Sequence, residues 1–356
     1  EAAGKDPAVA EALKNLPAFA PLVERMERAA TLERGSLTRP TVEALYGRRV
    51  PMSASRMDKY KSCHFSYFMQ YGLKAKPRKA AGFQAPEYGT FVHYVLEHIL
   101  QQRQDKEIPT RQQVAQVVKR YVEEELGGLA GETPRFRYLF RRLEKSVYAV
   151  VENVCQELSR SDFAPLAFEL GFGGRDGPLP PVELEADGVT VSVSGFVDRV
   201  DGWEKDGRLY LRVVDYKTGR KSFDLTDVKN GLGLQMLLYL FTLKEEGKEL
   251  FGREIVPAGV LYLPAREALV AGSRAMSEEE RQRAVDKELT RKGLILGESD
   301  VLEAMEHTDG DFRFLPLRVL SKGGIKGEAL VTAERLGKLG RHTRRILGGG
   351  AAEVAA

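Results

Sequence analysis

Cysteine is scarce. Cys63 and Cys155 are the only two in 356 residues. Two thiols cannot build a disulfide scaffold, and by themselves they cannot form a four-cysteine metal site. A reducing, cytoplasmic setting is expected. No apolar run approaches the roughly 18–20 residues that span a bilayer. The opening residues, EAAGKDPAVA, show no basic stretch followed by an apolar one, so no secretory leader is visible. The missing initiator Met reads as a fragment of a longer chain. No GxxxxGK[ST] loop occurs, so the chain carries no ATP motor of that type. Internal repeats are absent too.

Apolar residues are plentiful at 43%, with 29% charged, which allows a sizeable core and excludes disorder of the whole chain. The length suits about two domains, or one large domain with insertions. The net charge of +3 is modest but unevenly spread. Arg48 to Lys79 holds nine Lys/Arg against one acid, Asp58. Arg318 to Arg345 holds eight against Glu328 and Glu334. Such asymmetry suits a polyanion, and it equally suits a solvated basic surface.

Periodicity predicts two short helices within 8–31, interrupted at Pro17 and Pro21, then a connector over 34–52. Ser53 or Ser55 can cap a helix through Met57, Tyr60 and Cys63. The aromatics of 65–71 recur at helical spacing, as a core face does. A basic loop follows at 74–88. Helices are expected at about 90–104, 110–126 and 135–160, the first with Val92, Val95, Leu96, Ile99 and Leu100 on one stripe. Arg135 and its basic neighbours open the third. Strands are expected at 183–185, 189–200 and 208–217, with turns at Asp187-Gly188 and Asp206-Gly207. A helix at 231–246, a strand at 255–263, a charged helical stretch at 277–306, an extended stretch at 311–330 and a last helix at 332–347 complete the pattern. Helices around a small group of strands indicate an α/β or α+β class.

The segments Ser194-Gly-Phe-Val-Asp-Arg-Val-Asp201 and Val213-Val-Asp-Tyr-Lys-Thr-Gly219 carry the most chemistry. Side chains alternate along a strand, so Asp215 and Lys217 share a face with Leu209, Leu211 and Val213. Charges at the end of an apolar face need partners. A hairpin through 201–207 would bring Asp198 towards Asp215. Two carboxylates repel unless a cation lies between them, and oxygen donors of this kind suit Mg²⁺ or Mn²⁺. A surface hairpin with ordinary salt bridges is the competing account. His93 and Glu97, four apart on a helix, can both point inward. His93 is either a ligand or a structural histidine, and Glu97 can instead pair with a lysine. Gln235 and Tyr239 form a similar pair, either beside the site or along an amphipathic stripe.

The set Gly-Thr-x-x-His at 89–93, Gly-x-x-Asp-Arg-x-Asp at 195–201, Asp-Tyr-Lys-Thr-Gly at 215–219 and Gln-x-x-x-Tyr at 235–239 resembles the RecB-type branch of the PD-(D/E)xK nucleases. Leu45–Gly47, Ser53–Phe68 and Lys292–Leu296 are similar to the C-terminal part of the AddB family, the B subunits of bacterial AddAB helicase–nucleases. The resemblance runs over about residues 42–347. It implies an α/β, restriction-endonuclease-like core with a small mixed sheet and helical insertions. It implies His93, Asp198, Asp215 and the Tyr216 carbonyl as ligands of Mg²⁺ or Mn²⁺, with Lys217 activating water. Gln235 and Tyr239 would support the site or contact DNA.

The implied activity is metal-dependent cleavage of single-stranded DNA, supplied at DNA ends by an AddA-like helicase–nuclease partner, in double-strand-break repair by recombination. Other readings are a free-standing nuclease of phage or CRISPR defence, or a non-catalytic DNA- or partner-binding scaffold. Cys63 matches the first ligand of the family's iron–sulfur cluster. The remaining ligands have no counterpart here, so this chain is expected to hold no cluster. The expected organisation is a helical segment and linker at 1–52, a nuclease domain at 53–347 with its metal-site core at about 88–263, and a tail at 348–356 that reads as truncated.

Overall fold

The structure is a computed structural model. It describes residues 6–31, 37–47, 49–76, 85–104, 106–128, 134–173, 177–186, 189–272, 276–321 and 323–355. Arg48, Arg78, Lys79 and Lys322, most of the basic loop at 74–88 and the Asp187-Gly188 turn lie outside the described residues, as does the side chain of Arg135. The chain divides into two compact units, Glu1–Ala44 and Leu45–Ala356.

The first unit holds α1 (Pro7–Lys14) and α2 (Ala20–Thr31), and α3 (Arg39–Tyr46) spans the division. Asp6 caps α1 by accepting from the Ala8 amide. Pro21 lies in the first turn of α2, where its missing N–H leaves no bond unmade.

The second unit is built on a mixed six-stranded sheet. Its strands are β2 (Ala164–Phe172), β5 (Gly195–Lys205), β6 (Arg208–Lys217), β7 (Glu254–Pro264), β8 (Lys292–Leu296) and β11 (Leu330–Val331), in the order β11-β8-β7-β6-β5-β2. β6 and β7 run parallel, and β5 pairs antiparallel with both β2 and β6. A side sheet joins β1 (Arg49–Met52), β3 (Val182–Ala186) and β4 (Val189–Val193), and β9 (Arg318–Val319) pairs with β10 (Ile325–Lys326).

Around the sheet lie α4 (Ala54–Ser62), α5 (His64–Tyr67) with a following wide turn at Phe68–Gly72, α6 (Ala85–Gln102), α7 (Arg111–Glu124), α8 (Pro134–Ser159), α9 (Leu225–Lys229), α10 (Gln235–Phe251), α11 (Glu278–Leu289), α12 (Ser299–Met305) and α13 (Ala333–Ala355). Local chemistry sets several of these bounds. Ser53 caps α4, and Thr110 and Ser277 open α7 and α11 with reciprocal capping boxes. Asp206 and Gly207 both have positive φ, 51° and 73°, the two-residue turn that matches the strand twist of the β5–β6 hairpin.

Each sheet face has its own core. On one, Leu209, Leu211 and Val213 pack with Met236, Leu237 and Leu240 of α10. On the other, Tyr210, Val214 and Tyr216 pack with Val92, Val95 and Leu96 of α6 and Val151 and Val154 of α8. The α/β class and the mixed sheet flanked by helices agree with expectation. None of the described helices is long and apolar enough to cross a membrane.

Four expectations are corrected. The stretch 277–306 is not one helix, because Lys292-Gly-Leu-Ile-Leu296 forms β8 between α11 and α12. That short run is almost wholly buried, and Gly293 at φ 154° passes against the Val260 carbonyl, where a Cβ would lie 1.9 Å away. The run 189–200 is not one strand. It breaks at Ser194, whose amide donates to the Met52 carbonyl of the side sheet. β2 is a strand that pattern reading overlooked. The last helix continues past 347 to Ala355.

Candidate active site

Tight pairing in the β5–β6 hairpin sets the centre of the site. Arg199 stands opposite Val214, so Asp198 and Asp215 fall at adjacent strand positions. The Tyr216 amide donates to Asp198 Oδ2 at 2.7 Å. Asp215 is buried, 2% exposed, at the end of the apolar face, and it pairs with Lys217. Burial, and then the charge of Asp215, push the Asp198 carboxyl up to about 7. Burial also raises Asp215, against the pull of Lys217.

From the other face, α6 presents His93. Its Nε2 lies 3.7 Å from Asp198 Oδ2, and its Nδ1 lies 3.5 Å from Glu169 Oε1. Its ring meets the Tyr216 ring edge-on, with centroids 5.3 Å apart. Burial lowers the imidazole, but Glu169, Asp198 and the Tyr216 backbone outweigh it, so His93 is raised overall. Among the described residues, His93, Glu169 and Asp198 form a group whose ligand atoms all lie within 4.8 Å of one another. One imidazole and two carboxylates suit a hard divalent cation. The like charges that raise Asp198 are what a bound cation would relieve.

Glu169 was missed in the sequence. It lies on β2 between the register pairs Phe168–Arg199 and Leu170–Val197, so it faces Asp198. Its φ of 43° is left-handed, a conformation non-glycine residues adopt at a cost. The only signal was a single acid within the apolar alternation Leu166, Phe168, Leu170, Phe172.

The other expected residues are placed as follows. Lys217 is half-buried, and its ammonium lies 5.7 Å from the Tyr262 ring centroid. Gln235 donates to the Tyr239 hydroxyl at 3.1 Å, and Tyr239 also bonds the Phe196 backbone. Burial raises the Tyr239 phenol to about 12. Its ring explains Gly195: a Cβ there would lie 2.7 Å from Tyr239 Cε1 and 3.0 Å from Phe172 Cζ. Glu97 accepts from Gln101 and stays outside the group. Cys63 is an exposed free thiol, whereas Cys155 is buried in the core, with burial raising it to about 11.

Arg199 and Asp201, from the same short motif as Asp198, point away into a fully buried charge network. Arg199 and Arg212 both bind Asp201 at 2.8 Å, and Arg212 and Arg291 reach Glu157 at 3.3 and 2.8 Å. Burial opposes ionisation of Glu157, yet Arg291, Arg212 and Arg199 together hold it at about 2. Arg199 also donates to the Tyr216 hydroxyl at 3.3 Å, tying this network to the site.

Two of the basic residues between Arg48 and Lys79 serve internal contacts. Arg56 donates to the Pro51 carbonyl and stacks on Tyr71, and Lys61 pairs with Glu353. Asp58 accepts from the Gly233 amide just before α10.

A strand pair carrying the acid–x–lysine motif beside a helical histidine defines a class, and the comparison with known families agrees: residues 51–318 match the PD-(D/E)XK nuclease superfamily. The chain belongs to that superfamily. It is 34% identical over 320 residues to the B subunit of the ATP-dependent helicase/deoxyribonuclease of Clostridium novyi, covering 86% of this chain and 28% of that protein. The proteins of the same name from Acetivibrio thermocellus and Caldanaerobacter subterraneus are 33% and 34% identical, over 87% and 80% of this chain and 28% and 25% of theirs. The chain thus spans about a quarter of the length of these relatives.

Proposed function

We propose that this chain is the nuclease module of a helicase–deoxyribonuclease of that kind. In this reading it hydrolyses phosphodiester bonds of single-stranded DNA, which an AddA-like partner unwinds from DNA ends during recombinational repair in the cytoplasm. The convergence of His93, Glu169 and Asp198 beside the Asp215–Lys217 pair carries this reading.

His93, Asp198, Asp215 and the Tyr216 carbonyl would hold Mg²⁺ or Mn²⁺, and Glu169, which the fold brings beside His93 and Asp198, would join them. When bound, such a cation polarises a phosphoryl oxygen and makes water acidic enough to attack near neutral pH. Lys217 orients the attacking water and offsets charge that grows on the phosphate. Asp215 holds Lys217 in place, and Tyr216 holds Asp198 through its amide. Gln235 and Tyr239 brace the β5 strand at Gly195.

Digestion of end-labelled single-stranded DNA, with and without Mg²⁺, tests the proposal. Mg²⁺-dependent shortening that vanishes in Asp215→Ala is expected. Binding without any cleavage would make the chain a scaffold and overturn the reading.

A further inference from the structure

We propose that the basic cleft beside Lys217 is the track along which the single strand runs, its phosphates on the cleft's cations and its bases against the cleft's apolar lip. The inference rests on the nuclease reading above and adds the path that its substrate follows.

The cleft grows out of the sheet register. Asp215 on β6 is in register with Tyr262 on β7, and Tyr262 with Lys292 on β8. Register partners stand on one face of a sheet, and Lys217, two residues beyond Asp215, shares that face. A row of side chains therefore leads from the candidate site towards β8. Over it opens a cavity of about 490 Å³. Among the described residues, Lys217, Arg220, Lys221, Arg266, Lys287 and Lys292 line it, against a single acid, Glu288. Glu288 lies 3.2 Å from Arg220 and 2.7 Å from Arg266, whose hydrogen bond holds its carboxyl below the usual range. Asp215 pairs with Lys217, and Glu288 with Arg220 and Arg266, so Lys221, Lys287 and Lys292, all exposed, are the cations of the lining outside those pairs.

The same cleft has an apolar lip. Leu269 is 78% exposed, and Val270 lies next to it. Beneath the lip the buried Tyr262 ring lies 5.7 and 5.8 Å from the Lys217 and Lys221 ammonium groups, within cation–π reach of both. Cations alone would suit any polyanion. Cations beside an apolar lip suit a molecule that offers phosphates and bare base faces together. Duplex DNA hides its base faces in the stack, and a single strand presents them.

A second cavity of about 970 Å³ shares Lys292 and continues past Arg318 and Lys326, with Phe223 and Leu320 in its wall. It lengthens the groove away from Lys217. The track thus draws on residues 217–221, 266 and 287–292, with Arg318 and Lys326 at its far end. It does not use the basic segment that begins at Arg48.

Anisotropy of a fluorescein-labelled oligothymidylate, measured in EDTA so that no cleavage intervenes, tests this. The triple variant Lys221→Ala/Lys287→Ala/Lys292→Ala changes only exposed side chains. It should lower affinity about tenfold or more and reduce the log–log salt slope by about 2, at ~0.7 per lost phosphate contact. Leu269→Asp should weaken single-strand binding with an unchanged melting temperature. Lys244→Ala/Lys248→Ala, on the exposed side of α10, should bind as the parent does. Parental affinity and salt slope in the triple variant would overturn the track, as would unlabelled duplex competing as well as unlabelled single strand. The nuclease reading fails separately, through absent Mg²⁺-dependent cleavage by the parent chain. Cleavage that persists in the triple variant with an unchanged KM would sink the track alone.

Discussion

At the scale of single residues, the site concentrates negative charge. Asp198, Asp215 and Glu169 converge with one imidazole and one ammonium to offset them. The two cations have different roles, which variants should separate. Lys217→Ala should lose most cleavage yet keep Mg²⁺ binding, because an ammonium has no lone pair to give. Isothermal calorimetry checks this, and loss of the metal in that variant would reverse the assigned roles. Glu169 adds a second test. Its left-handed backbone favours glycine, so Glu169→Gly removes a carboxylate and relieves strain at once. Mg²⁺ affinity should fall about tenfold or more, as it does when metal-site partners are removed. The thermal midpoint without metal should stay level or rise.

At the scale of elements, the hairpin and its supports form one unit. Gly195→Ala would press a methyl group into Tyr239 and Phe172, at an expected cost of about 1–3 kcal/mol. Urea unfolding measures that loss, and cleavage should fall with it because Tyr239 must move. The buried network under the hairpin is more demanding. Asp201→Ala would leave Arg199 and Arg212, both fully buried, without their shared carboxylate. A loss of about 3–5 kcal/mol is expected. A midpoint within error of the parent would show that the network contributes little. The motif Gly-x-x-Asp-Arg-x-Asp is therefore mostly structural. One of its two acids serves the site, and the other neutralises arginines beneath it.

At the scale of the molecule, metal binding and folding should be linked. A cation that binds the folded site and not the unfolded chain stabilises it by about 2.7 kcal/mol at a hundredfold excess over Kd. Mg²⁺ should raise the thermal midpoint of the parent chain and leave Asp198→Ala unmoved. The reason is geometric, since His93, Glu169 and Asp198 come from α6, β2 and β5 and meet only in the fold. An equal Mg²⁺ response in both proteins would place the cation elsewhere.

The residues that define the family were legible in order along the chain. Strand alternation put Asp215 and Lys217 on the Leu209–Leu211–Val213 face, and Asp206-Gly207 fixed the hairpin that brings Asp198 to them. These are local facts, because a period of two and a two-residue turn act between neighbours. What local pattern could not supply came from pairing at long range. Glu169 sits on an irregular strand whose place is set only by β5. β8 hides in a charged stretch because its apolar run is too short to separate from a helix without its partner β7. The cationic cleft was also unreadable, since its residues come from separate stretches between Lys217 and Lys292. Linear charge counts found only its far end, Arg318 and Lys326, and otherwise pointed to segments where Arg56, Lys61 and Arg344 are engaged with the protein itself. Charge recognises a ligand through space, and only sheet register decides which cations share that space.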